Sequence, residues 1–289
     1  MAKRISIIGL GSIGLRHARN LLAMGHIVHG FDPSDIARNK AADIGVKSWS
    51  DDVDAYVIAS PTYHHAQDIQ ACFNLNGIGV FVEKPIAHRK FDTVDWVDMV
   101  GYNLRFHSSV KQAKVWMDHG LIGDPIWANF VCGQYNDRPA YLRDGVILNW
   151  SHEIDLALYL LGDAELAAKS VQHNTDGQDV MADILLTHGN DCRTSIHIDY
   201  NSRPEQRYFR IVGTKGYIFG SLTDPRYAAI HTADASTQTL IYGTDSFDEN
   251  YKEEMQAFLD RIDGKETIGC TGEEALKVLD ICLKVKGDR

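Results

Sequence analysis

Apolar and polar positions in the first hundred residues switch repeatedly between two periods. Arg4–Ile8 is a short apolar run that ends at glycine, and Ile27–Phe31, Ala55–Ala59, Gly79–Val82 and Val97–Tyr102 are runs of the same kind. Short runs of this sort, bounded by Gly, Pro, Asp or Ser, read as buried strands. Between them, Ile13–Met24 sets Ile13, Leu21, Leu22 and Met24 at helical spacing. Ser34–Ile44 predicts a second helix, with Asp32 or Ser34 as its N-cap. Strands alternating with helices predict parallel crossovers and a sheet covered on both faces. One connection is too short for that scheme. Val46–Trp49 would be the third strand, yet only Ser50–Asp54 separate it from Ala55. A parallel crossover needs about a dozen residues. The expectation is a stunted strand with no helix between residues 49 and 55.

Beyond residue 106 the pattern changes. Ser108–His119 reads as a helix that ends near Gly120–Pro125, and Trp127–Tyr135 alternates like a strand. Glu153–Leu161 is an amphipathic helix with Gly162 at its C-cap. Residues 180–188, 192–200, 206–212 and 216–222 read as successive strands, with Gly189-Asn190-Asp191 as one of the turns between them. Tyr251–Asp263 and Gly272–Lys286 are helical, the second starting near Thr271 with Glu273 and Glu274 in its first turn. The division that follows is a dinucleotide-binding domain over residues 1–106 and a second domain over 107–289, an α/β chain overall.

Composition narrows the functional classes. At 289 residues the chain can bury two cores, and 44% apolar with 24% charged residues is ordinary for a globular protein. A net charge of -10 argues against a nucleic-acid partner, which needs a basic face, but leaves room for an anionic small molecule in a locally basic pocket. No apolar run approaches the roughly 18 residues of a membrane span, and the start lacks the pattern of a signal peptide. Cys72, Cys132, Cys192, Cys270 and Cys282 are scattered and contain no C-x-x-C. That usage fits a reduced, cytoplasmic protein with neither disulfides nor a metal site.

The chemistry begins at Gly9-Leu10-Gly11-Ser12-Ile13-Gly14, a G-x-G-x-x-G that follows a strand and opens a helix. Asp32 lies 18 positions after Gly14, at the end of the second strand. A bare glycine turn with a surface aspartate is the plain alternative, and this context argues against it. Gly9 permits the tight turn, Gly11 lets backbone approach a pyrophosphate, and Gly14 permits close helix–strand packing. Ser12 and Ile13 open the helix, whose free N–H groups and dipole favour phosphate. Asp32 can accept hydrogen bonds from ribose hydroxyls and repels a 2′-phosphate, so NAD is favoured over NADP. Ser60, Pro61, Thr62 and His65 follow another strand, at the sheet end where ligands of such folds bind. Thr62 also suits a helix cap, and His65 either faces the cofactor or is an ordinary surface residue on a helix start. Glu83-Lys84-Pro85 directly follows the Gly79–Val82 strand. Lys84 there is either a surface charge or an ammonium placed to stabilise an alkoxide. Pro85 fixes the local turn, with a cis bond as one means.

Five segments in this order carry a resemblance: Gly9–Gly14; Ser60-Pro61-Thr62-x-x-His65; Glu83-Lys84-Pro85; Gly101-Tyr102-Asn103-x-Arg105-Phe106; and Ser151-His152-Glu153-Ile154-Asp155. Together they resemble the glucose–fructose oxidoreductase/inositol dehydrogenase/rhizopine-catabolism (Gfo/Idh/MocA) family over nearly the whole chain. The resemblance implies a Rossmann domain followed by an α+β domain with a large, open, mostly antiparallel sheet. It implies hydride transfer between a nicotinamide and a sugar, sugar nucleotide or cyclitol. On this reading Lys84 lies between cofactor and substrate, His152 faces the substrate, and Asp155 is structural. Asn103, Arg105, Tyr141 and Asn149 are further substrate candidates. Many members carry an aspartate three or four positions before the histidine, where this chain has Asn149 and Leu148. An amide cannot exchange a proton near neutral pH, which leaves His152 as the acid/base. Gln134-Tyr135 and Pro139-x-Tyr141-x-x-Asp144-Gly145 resemble, in shortened form, a loop of the branch linked to surface polysaccharides. Arg138 and Tyr141 there are sugar contacts or a solvated loop. The family's sheet face often pairs subunits, so a homodimer or homotetramer is expected. Two rivals share the fold: an NAD-dependent glycoside hydrolase and a dinucleotide-binding protein without chemistry.

Overall fold

The structure is a computed structural model, and it describes residues 1–73, 79–91, 94–136, 144–223, 226–233, 238–242 and 247–287. The chain divides into two compact units: Met1–Asn103 with Phe247–Leu276, and Leu104–Ser246 with Lys277–Arg289.

The first unit opens with β1 (Arg4–Ile8), α1 (Ser12–Ala23), β2 (Ile27–Phe31), α2 (Asp35–Asp43), β3 (Lys47–Ser48), β4 (Ala55–Ile58), α3 (Thr62–Phe73), β5 (Gly79–Glu83) and β6 (Met99–Gly101). The strands form one sheet in the order β3-β2-β1-β4-β5-β6, every pair parallel. Ile5, Ile7, Val57, Phe81 and Val82 are buried in the central strands, as a sheet covered on both faces requires. The short connection behaves as its length demands: β3 is two residues long and residues 49–54 contain no helix. In place of a crossover helix, Trp49 stacks on Tyr56 at 5.6 Å. Asp51 Oδ1 accepts from Trp49 Nε1 at 3.0 Å and from Tyr56 Oη at 3.4 Å. Burial first, and Asp51 second, push the Tyr56 hydroxyl up to about 12.

The second unit follows a 3-10 turn at Asn103–Phe106 and contains α4 (Ser108–Asp118), β7 (Pro125–Gly133), α5 (Val146–Asn149), α6 (His152–Leu161), β8 (Ala164–His173), β9 (Asp179–His188), β10 (Arg193–Asp199), β11 (Gln206–Gly213), β12 (Gly216–Ser221), β13 (Tyr227–Thr232) and β14 (Gln238–Tyr242). These eight strands form an open sheet in the order β14-β13-β12-β11-β7-β10-β9-β8. All pairs are antiparallel except β7 with β10. The period of two sorts the faces. Phe130, Ile184, Ile196, Phe209, Ile218 and Ile230 are buried, while Trp127 and Leu185 are exposed. α6 packs against β7 and β10, and α4 against β12 and β13.

Two helices close the chain. α7 (Phe247–Ile262) belongs to the first unit and packs on α1, with Arg16 Nε 3.0 Å from Asp248 and its guanidinium 4.8 Å above the Tyr251 ring. Gly79 lies so close to Ile262 that an added Cβ would stand 2.4 Å from its Cγ2. The simple division at Phe106 therefore omits a C-terminal segment that returns to the first sheet. α8 (Gly272–Lys286) starts with a capping box: Thr271 Oγ1 accepts from Glu274 N at 3.2 Å and Glu274 Oε2 from Thr271 N at 2.9 Å. The division between units falls inside this helix. At its far end Lys169 Nζ donates to the carbonyls of Lys284 at 2.6 Å and Val285 at 2.8 Å, groups a helix leaves open. Among the described residues no helix is long and apolar enough to cross a membrane.

Candidate functional site

In the first unit the glycine loop is held from both sides. Gly9 N donates to Phe31 O at 2.9 Å, and Leu10 N donates to Asp32 Oδ2 at 2.8 Å. Asp32 Oδ1 accepts from Ser34 N at 2.8 Å, so the carboxylate joins the glycine loop to the start of α2. Gly9 has φ +91°, and an added Cβ would lie 2.6 Å from Ala59 O; at Gly14 it would lie 1.9 Å from Gly9 O. Gly11 is different: an added Cβ meets nothing within 4 Å. Gly11 is the N-cap of α1, with no side chain capping the helix and no acidic residue in its first turn. Ser12 and Ile13 supply that turn, exposed and half-buried. An uncapped helix start facing open space fits a diphosphate.

The loop after β4 approaches the same glycines. Ser60 Oγ donates to Asp68 Oδ2, Pro61 is exposed, and Thr62 begins α3. His65 is only 1% exposed. Its ring nitrogens lie 2.9 Å from Pro85 O and 2.8 Å from Ser60 O. Burial pushes its pKa below the ordinary value, against the opposing pull of those two carbonyls. A neutral imidazole carries one N–H and so donates to one of these two carbonyls. His65 lies between the loop after β4 and the loop after β5.

Glu83, the last residue of β5, is buried, and Lys84 after it is half-buried. The Lys84–Pro85 peptide is cis. His17 Nε2 lies 2.6 Å from Glu83 Oε1, a partner that the motif did not reveal. Asn103, expected at the substrate, is buried in the first unit, and its Nδ2 makes no hydrogen bond.

In the second unit His152 is the first residue of α6, and the two acids that follow it are anchored. Asp155 accepts from Arg105 through Nε at 3.1 Å to both oxygens and through Nη2 at 2.6 Å. Arg105 is 2% exposed, and its guanidinium lies 4.7 Å from the Tyr159 ring centre. Its fork donates to Asp155. Glu153 accepts from Arg207 Nε at 2.7 Å and Nη2 at 3.1 Å. Burial acts to lower the Arg207 pKa, but the Glu153 carboxylate and its hydrogen bonds outweigh it and the pKa is raised. Asn149, half-buried, donates to Tyr200 Oη, which donates to Gly145 O at 2.9 Å. Tyr141 and Arg138 lie outside the described residues. Among the described residues, no group of three or more His, Cys, Asp or Glu is placed to hold a metal ion.

A parallel six-stranded sheet with a glycine-lined, uncapped helix start, joined to an open mixed sheet, defines a dinucleotide-dependent oxidoreductase built in two units. Residues 3–101 match the oxidoreductase family with an NAD-binding Rossmann fold, and residues 110–219 match the GFO/IDH/MocA C-terminal domain. The chain belongs to the Gfo/Idh/MocA oxidoreductase family. It is 27% identical to a scyllo-inositol 2-dehydrogenase (NAD(+)) of Bacillus subtilis, over 96% of this chain and 91% of that protein. It is 25% identical to a myo-inositol 2-dehydrogenase of Thermotoga maritima, over 96% and 93%. Among solved structures, UDP-N-acetylglucosamine 3-dehydrogenase from Acidithiobacillus ferrooxidans superposes with a TM-score of 0.84 at 20% identity, covering 99% of this chain and 97% of that one. The expected fold class and oxidoreductase activity are thus established.

Proposed function

We propose that the protein interconverts a secondary hydroxyl and a ketone on a cyclitol, sugar or sugar nucleotide, with NAD as its preferred cofactor. The observation that carries this reading is the uncapped start of α1 behind the open space at Gly11. The names of the inositol and sugar-nucleotide dehydrogenases above supply the substrate class. Asp32 disfavours a 2′-phosphate because a second anion there would meet a carboxylate. Nicotinamide would supply the hydride chemistry when bound. Lys84 holds the substrate oxygen and stabilises its negative charge. His152 takes or returns the hydroxyl proton, and Asn149 is a hydrogen-bonding rather than proton-exchanging neighbour. The outer face of the second sheet carries stacked Tyr208–Phe219 and Phe219–Tyr227 pairs at 5.5 and 5.7 Å beside exposed Trp127 and Leu185. An aromatic face of this kind suits pairing of two copies, and light scattering of the purified protein checks it.

Calorimetry of the cofactor-free protein with NADH and NADPH is the primary test, followed by a screen of inositols, sugars and sugar nucleotides. Tighter NADH binding is expected; binding of neither refutes the proposal. In the same assay Lys84→Ala and His152→Ala should lose turnover, and unchanged turnover in either removes that residue's role. Retained NAD with hydrolysis and no net cofactor reduction would point to the glycoside-hydrolase chemistry of this fold.

A further inference from the structure

We infer that His17 is a positioning residue for Lys84 and acts through Glu83. The inference rests on the reading of Lys84 as the ammonium that meets cofactor and substrate.

His17 lies on α1 and is fully buried, 66 positions from Glu83 in sequence. With its ring proton on Nε2, His17 donates to Glu83 Oε1 across 2.6 Å. His17 Nδ1 has no hydrogen-bond partner. A bare lone pair is the less costly group to leave there, which favours the same tautomer. The other carboxylate oxygen accepts the Lys84 backbone N–H at 3.3 Å. The two oxygens thus join the helix to the residue at which the chain leaves β5.

The joint has little freedom. The His17 ring is met edge-on by Phe81 at 5.3 Å and by Tyr251 at 5.9 Å. The carboxylate fills the space beside Gly101, where a Cβ would stand 3.0 Å from Glu83 Oε2. The geometric consequence concerns α1 itself. Its N-terminal end offers the diphosphate cradle, and His17 follows Gly11 by six residues, about 9 Å along the helix. One rigid element therefore references both the cradle and, through Glu83, the backbone from which the ammonium extends.

The test is the acetylation rate of Lys84 by N-acetoxysuccinimide in the cofactor-free protein, read at the peptide level by mass spectrometry. His17→Phe keeps the ring contacts and removes the donor. It should change the Lys84 rate by about threefold or more, and His17→Gln, which retains an N–H, should return it to within about twofold. Glu83→Met, which has no comparable acceptor, should produce the same change, and His17→Phe/Glu83→Met should equal Glu83→Met alone, because the link is already cut. A wild-type rate in His17→Phe, or effects that multiply in the double variant, overturns the inference. If His17→Phe does not fold by circular dichroism, the comparison of His17→Gln with His17→Asn decides. The shorter amide should match Glu83→Met, and equal wild-type rates in both amides overturn the inference. NADH protection of Lys84 is measured alongside: its absence in the wild type removes the functional reading of Lys84 and leaves the coupling result standing.

Discussion

Gly11→Ala and Gly14→Ala are the same chemical change three positions apart, and the structure requires opposite outcomes. At Gly14 the new Cβ would stand 1.9 Å from Gly9 O and 3.0 Å from Gly9 C, both backbone atoms of the turn itself. No side chain can move aside, so the turn must shift. Overpacking of this kind costs about 1–3 kcal/mol, and a backbone clash belongs at the upper end. With about 2–4 °C lost per kcal/mol, Gly14→Ala should melt roughly 6–12 °C lower. At Gly11 φ is -70° and ψ -163°, open to any residue, and the added methyl meets nothing within 4 Å. Alanine is a poorer N-cap than glycine but reduces the entropy of the unfolded chain, and these effects cancel to about 0.5 kcal/mol. The methyl does occupy the space through which a diphosphate approaches α1. Gly11→Ala should therefore melt like the wild type and bind NADH at least about tenfold more weakly, equivalent to about 1.4 kcal/mol. Differential scanning calorimetry and titration calorimetry on the two variants decide it. Wild-type NADH affinity in Gly11→Ala would refute the placement of the diphosphate at this helix start.

Three further outcomes follow from the same structure. Asp155→Asn leaves the Arg105 guanidinium, 2% exposed, without its counter-charge. Denaturant titration should show a loss of about 3–5 kcal/mol, and a loss under about 1 kcal/mol would mean the pair does not anchor α6. His65 and His188 have folded-state pKa values lowered from 6.5, both chiefly by burial. The unfolded chain therefore takes up these protons first: the stability they hold is complete above pH 6.5 and is lost as the pH falls from there through the lower folded values. Melting temperature should decline across that window, less steeply in His188→Gln; equal slopes would contradict the assignment. Asp32→Asn should narrow the ratio of NADH to NADPH affinity by about tenfold, the effect of removing one charge beside a phosphate; an unchanged ratio would place the discrimination elsewhere.

Much of the first sheet is legible because each buried parallel strand is a separate apolar run, and the crossovers obey a length rule. The five-residue gap Ser50–Asp54 is enough to exclude a helix, and none is found. What closes the sheet in its absence, Trp49 on Tyr56, depends on two side chains seven positions apart, and no period connects them. The return of α7 to the first unit is equally hidden. Its amphipathic pattern indicates a buried face but not which surface buries it, and the choice is made by Arg16, Asp248 and Tyr251 across more than two hundred residues. β8 escaped notice for a different reason. It is an edge strand in which Ala167, Ala168, Lys169 and Ser170 are all exposed, so the alternation that marks β9 and β10 is missing.

The functional residues divide along the same physical line. At Gly9 and Gly14 the backbone geometry of the turn restricts the residue type locally, and Asp32 anchors that turn through Leu10 N. For Arg105 and His65 a motif gives the residue type and not what the side chain touches. A guanidinium in a run beside a strand end suits a substrate and suits a buried carboxylate alike. Burial adds what the motif lacks: Arg105 is buried against Asp155, and His65 is buried between the carbonyls of Ser60 and Pro85. In the second unit Glu153 and Asp155, one and three positions after His152, are each held by an arginine fork, half-buried Arg207 and buried Arg105, so the start of α6 is anchored twice. In the first unit Glu83, directly before Lys84, is held by His17. The proposed proton carrier and the proposed alkoxide partner thus share one feature: each is next in sequence to an acid that is buried and bound. Rigid neighbours keep the reacting groups within a narrow range of positions, which is the part of hydride-transfer catalysis that the protein, rather than its cofactor, must supply.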